Sequence, residues 1–159
     1  MMIGDVDMEP RLVYGKVEPE SLQAMMKLES YVRNSGLEPR LLELIKIRSS
    51  QINGCAFCLD MHTKDARANG ETEQRIYELN AWREAPFYTE RERAALELTE
   101  AVTLISTKRV PDDLYARVRE HFSEKEYVQL VMAINTINNW NRLSIATGAV
   151  PGEYEPAKK

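Results

Sequence analysis

The stretch between Pro39 and Gly54 constrains the fold more than any other part of the chain. Proline suits the first position of a helix, where its missing N–H would have no partner anyway. Leu41, Leu42, Leu44, Ile45, Ile47 and Ile52 follow and make the segment strongly apolar. Asn53–Gly54 then stops it, because both residues tolerate the left-handed backbone that ends helices. A helix with so much apolar surface is expected to be largely buried, with other helices around it.

The remaining segments read the same way. Pro19 opens a helix with Leu22, Met25, Met26 and Leu28, and Gly36 ends it. A further helix begins near Cys55 and runs to Asn69–Gly70, and Thr72 caps a short one through Leu79. Ala85–Pro86 breaks the chain. Thr89 with Glu92 and Ser123 with Glu126 are capping boxes, in which each side chain bonds the other residue's backbone N–H. They predict helices to about Ile105 and to about Thr147, with a short helix opened by Pro111 between them. No segment alternates at the strand period. The expectation is an all-α helical bundle built from two halves that meet near Pro86. It is read as a single domain over 1–159 with its core at about 19–150 and a loose polar tail after Gly152. The Tyr and Met residues at helical spacing read as core.

Hydrophobic residues make up 43% and charged residues 29%, a soluble globular composition, and the net charge of −4 gives no general attraction to nucleic acid or anionic membrane. No apolar run is long enough to span a bilayer. The start, Met1–Pro10, does not read as a secretory signal, so a cytoplasmic location is expected. There the two cysteines, Cys55 and Cys58, would be kept reduced. A structural disulfide normally closes a longer loop, so this spacing points to redox work or metal binding.

Gly54 puts Cys55 at a helix start, where free N–H groups and the helix dipole favour a thiolate. Cys58 lies one turn on, within reach of Cys55. His62 follows Cys58 by four residues, on the same helical face, so an imidazole stands where it can take a thiol proton. Glu43 belongs to the preceding helix. A chain reversal at Gly54 would bring it against His62, which a carboxylate can orient and stabilise when charged. A zinc site is the rival reading, with Cys55, Cys58 and His62 as ligands and Glu43 or His121 as the fourth. An inert pair of small core residues is another. Trp140, Asn141 and Arg142 form a polar-aromatic cluster, read as packing and hydrogen bonding within the bundle or between subunits.

The run from Glu43 to His62, with Arg48–Ser49–Ser50–Gln51–Ile52–Asn53–Gly54 leading into Cys55–Ala56–Phe57–Cys58, resembles the core motif of the alkylhydroperoxidase D-like proteins. These belong to the carboxymuconolactone decarboxylase family. Asn138–Asn139–Trp140–Asn141–Arg142 is also similar to members of that family. The resemblance implies an all-α homo-oligomer, commonly a trimer or hexamer, that reduces hydroperoxides without a bound cofactor. A dithiol, such as that of a lipoylated partner, would return the electrons. By resemblance Cys58 is the cysteine that attacks peroxide and Cys55 the one that resolves the sulfenic acid. Glu43 and His62 match the proton relay, which in the family includes a water. Phe57 departs from the pattern, since the well-studied peroxidases have histidine there. That departure keeps a disulfide-exchange module or redox sensor as the alternative. The cysteine pair argues against the family's lactone decarboxylase branch.

Overall fold

The computed structural model describes residues 8–157, so the reading of the extreme N-terminus falls mostly outside the described residues. Within them the chain forms eight α-helices, one short 3-10 turn and no strand. These are α1 (Tyr14–Val17), α2 (Pro19–Arg33), α3 (Pro39–Asn53), α4 (Ala56–Ala68), α5 (Glu73–Tyr77), α6 (Glu90–Thr103), α7 (Asp112–Arg119) and α8 (Glu124–Thr147). The 3-10 turn, Leu79–Ala81, follows α5. None of these helices is long and apolar enough to cross a membrane.

Helix α3 sits at the centre and packs against α4, α6 and α8. Its residues divide into three stripes at helical spacing. Leu41, Leu42 and Ile45 enter one apolar cluster with Val32, Leu98, Leu130 and Ile134. Leu44 and Ile47 enter another with Ala66, Leu79, Trp82 and Leu96. Glu43, Lys46 and Ser50 form the third stripe, which is polar. Each fully buried leucine or isoleucine here contributes about 1.5–3 kcal/mol by leaving water. Both clusters draw on residues before and after Pro86, so the two sequence halves interleave around α3.

The caps fall where the sequence places them. Pro19 and Pro39 stand at the first turns of α2 and α3, and both capping boxes are formed, at α6 and α8. Gly54 ends α3 with φ of 67°, a conformation that would strain any side chain. That turn lays α4 back along α3. Gly148 ends α8 in the same way at φ 71°. There Arg11 N–H donates to the Thr147 carbonyl, tying down the N-terminal segment.

Three expectations need correction. The short helix α1 has no counterpart in the sequence reading. Helix α5 stops at Tyr77, and the Leu79 stretch tightens into the 3-10 turn. The tail after Gly152 is anchored, not loose. Gly152 N–H donates to Asp60, Lys64 donates to the carbonyls of Gly152 and Tyr154, and the Tyr154 hydroxyl donates to Asp65. Fixed partners on α4 hold backbone that polarity alone suggested would be solvated.

Candidate active site

Helices α3 and α4 bring Glu43, Cys58 and His62 together at one cavity of about 780 Å³. Cys55 is the N-cap of α4, and its Sγ accepts the Cys58 N–H at 3.3 Å, the place a serine or aspartate oxygen usually takes. Cys55 and Cys58 are joined as a disulfide, with Cα atoms 5.4 Å apart. The two sulfurs are not equivalent. Both cysteines are buried, Cys55 1% and Cys58 3% exposed, but Cys55 takes no part in the cavity lining. Cys58 lines the cavity, with the Ser144 hydroxyl of α8 3.8 Å from its Sγ.

One turn further along α4, His62 lines the same cavity. Its Nδ1 lies 3.1 Å from Oε2 of Glu43 on α3. The hairpin at Gly54 thus sets the carboxylate against the imidazole. A carboxylate at Nδ1 favours the tautomer with its proton there and leaves Nε2 as the free base. No hydrogen bond links His62 directly to either sulfur.

A layer of charge behind Glu43 was not anticipated from the sequence. Lys46, one turn along α3, is buried and lies 2.8 Å from Glu29 and 3.7 Å from Glu43. Glu29 also accepts from Arg33 at 3.2 Å and from the Trp140 indole at 3.1 Å. Burial pushes the Glu29 carboxyl up, but the charge and hydrogen bond of Lys46, the Trp140 bond and the charge of Arg33 outweigh it. The group is held below the ordinary carboxylate range. The i,i+3 spacing of Glu43 and Lys46 could have flagged that pair. Spacing could also have paired Glu29 with Arg33, four residues on in α2, but not with Lys46 or Trp140, which lie on other helices far along the chain.

Other residues were misread or missed. Met26 and Met61 line the cavity, so these helical methionines are not simply core, and Tyr14 and Tyr154, outside the helices placed from sequence, line it too. The Trp140 cluster does form hydrogen bonds within the bundle. Asn141 donates to Ser50 and accepts from Asn53, and Arg142 donates to Asn138. Trp140 adds a cavity wall to that packing role. Phe57 also lines the cavity and gives it an apolar face beside Cys58.

The zinc set drawn from the sequence is not assembled. Both cysteines are engaged in the disulfide, and His121 lies at the far end of α7, where its carbonyl accepts from Arg91. Glu43, His62 and Asp65 do place possible ligand atoms within 4.8 Å of one another. Lys46 beside Glu43 and Tyr154 on Asp65 already engage two of the three.

Comparisons with known proteins show the family and the fold. Residues 19–101 match the model of the carboxymuconolactone decarboxylase family. The uncharacterized protein YdfG of Bacillus subtilis is 59% identical over 141 residues, spanning 89% of this chain and 96% of that one. A crystal structure from Agrobacterium tumefaciens superposes with a TM-score of 0.89 at 46% identity, covering 92% of this chain and 100% of the other. It is of a protein of unknown function offered as a candidate antioxidant defence protein, AhpD. The debrominase Bmp8 shares the fold alone, with a TM-score of 0.78 at 19% identity over 87% of this chain and 74% of that one.

Proposed function

The chain belongs to the carboxymuconolactone decarboxylase family, as an alkylhydroperoxidase D-like member, and on that premise we propose that it is a thiol-dependent peroxidase. The observation that carries the reading is the asymmetry of the cysteine pair. Cys58 lines the cavity that is also lined by the Glu43–His62 pair, and Cys55 does not.

The reaction has two halves. With the pair reduced, His62 takes the Cys58 proton through a bridging water, and Glu43 stabilises the imidazolium. The Cys58 thiolate attacks the terminal oxygen of a hydroperoxide ROOH. The O–O bond breaks, the alcohol ROH leaves with a proton from the relay, and Cys58 becomes a sulfenic acid. Cys55 then attacks that sulfur, forming the disulfide and releasing water. A dithiol, such as that of a lipoylated partner, returns the two electrons by attacking Cys58, the sulfur open to the cavity. Cys55 is then a good leaving group, because the Cys58 N–H and the helix start stabilise its thiolate.

Phe57 favours a second reading, a disulfide-exchange module or redox sensor without rapid turnover, because it removes a polar group beside the thiols. Consumption of cumene hydroperoxide with excess dithiol, against a Cys58→Ser control, separates the two. Turnover that needs Cys58 is the expected result. One stoichiometric oxidation to the disulfide without turnover would favour the sensor, and no reaction would defeat the peroxidase reading.

A further inference from the structure

The tail after α8 contributes directly to the cavity over Cys58. Tyr154, Pro156 and Ala157 are part of its lining, together with Phe57, Met61 and Trp140. The same helix that carries Cys58 and His62 also carries the anchors for this tail. Asp60 accepts from Gly152 N–H at 3.0 Å and from Lys64 at 3.1 Å. Lys64 in turn donates to the Tyr154 carbonyl at 2.8 Å. The Tyr154 hydroxyl donates to Asp65 at 2.6 Å. Burial, then the hydrogen bond and charge of Asp65, push that hydroxyl up to about 12, so it stays a neutral donor at physiological pH.

Backbone anchored this way costs conformational entropy that a loose polar tail would keep. What the anchoring achieves is placement of one aromatic ring and two small apolar side chains against the reactive cavity. A wall held by one hydroxyl, one backbone N–H and two carbonyl contacts sets the width available to whatever approaches Cys58. We infer that Tyr154 is a specificity-determining residue, latched by Asp65 and Lys64, that restricts bulky reactants at Cys58 and admits slender ones. The inference takes from the proposed function only the identity of the natural reactant.

The test reads access to the sulfur directly. In a Cys55→Ser background only Cys58 carries a thiol, and its alkylation can be followed with iodoacetamide, which is small, and with pyrene maleimide, which is bulky. Comparing variant with parent for each reagent cancels their different intrinsic reactivities. Tyr154→Ala is expected to speed pyrene maleimide by about tenfold while changing iodoacetamide by less than about twofold. Tyr154→Phe keeps the ring but loses the latch, and it should shift the ratio the same way by about threefold. Equal acceleration of both reagents, or of neither, would overturn the inference. If Tyr154→Ala does not fold, an unchanged ratio in Tyr154→Phe overturns it alone. Peroxide assays on proteins that keep both cysteines then separate this from the proposed function. With peroxidase activity present, Tyr154→Ala should raise the kcat/KM of cumene hydroperoxide relative to tert-butyl hydroperoxide. A shifted alkylation ratio with no peroxide turnover in any of the proteins would support the wall and defeat the peroxidase reading.

Discussion

Two buried carboxylates, Glu29 and Glu100, have nearly the same surroundings. Glu29 is held by Lys46, Arg33 and the indole of Trp140. Glu100 accepts from Arg48 at 2.9 Å, Arg83 at 2.7 Å and the indole of Trp82 at 2.9 Å. For both, burial raises the carboxyl and is outweighed by the donors and cations around it, so both lie below the ordinary carboxylate range. The difference is position. Glu29, Lys46 and Trp140 line the cavity, and Lys46 reaches on to Glu43. Glu100 lies on α6 away from it and ties α6 to α3 and to the segment after the 3-10 turn. Lys46 and Arg48 are two residues apart on one helix, which sends them to opposite sides. The same ionic arrangement therefore braces the bundle on one side of α3. On the other it sets the charge beside the relay pair.

Substitution can break that comparison. Lys46→Met should have the largest effect, because it leaves Glu29 short of its nearest cation and Glu43 without one. A loss of about 4 kcal/mol in urea unfolding is expected. The pH midpoint of Cys58 alkylation, measured in the Cys55→Ser background, should also move upward, since a positive charge that favours thiolate is gone. An unmoved midpoint would show that the Glu29 network acts on stability alone.

Glu100→Gln should cost about 3 kcal/mol, less because Arg83 is partly in water, and should leave the alkylation midpoint where it is. It also carries a pH signature. A carboxyl whose folded pKa lies below the unfolded value of 4.5 contributes its full stability above that value and loses it as pH falls through the folded one. Acidification from about pH 6 to about pH 3 should therefore destabilise the parent more than Glu100→Gln. An equal loss in both would remove Glu100 from the acid response.

The smallest effects belong to the helices that present the two networks. Thr89→Ala uncaps α6, which carries Glu100, and Ser123→Ala uncaps α8, which carries Trp140. Each should cost about 1 kcal/mol in thermal or urea unfolding and leave the alkylation midpoint alone. A moved midpoint in Ser123→Ala would mean that the register of α8 tunes the cavity.

Local chemistry determined much of this protein from sequence alone. Helix starts at Pro19 and Pro39, the boxes at Thr89 and Ser123 and the reversal at Gly54 depend on neighbouring residues and elementary backbone sterics. The Cys55–Cys58–His62 spacing is a property of one helix, and Glu43 was within reach because a single tight turn separates its helix from theirs. What only the tertiary structure decided depends on distant partners. It put Cys58 in the cavity lining and left Cys55 out of it, joined Glu29 to Lys46 and Trp140, and pinned Tyr154 to Asp65. Periodicity says which side of a helix is apolar. It does not say which polar groups from remote segments will meet there, because those contacts are selected by the packing of the whole bundle and by the cost of leaving buried charge without a partner.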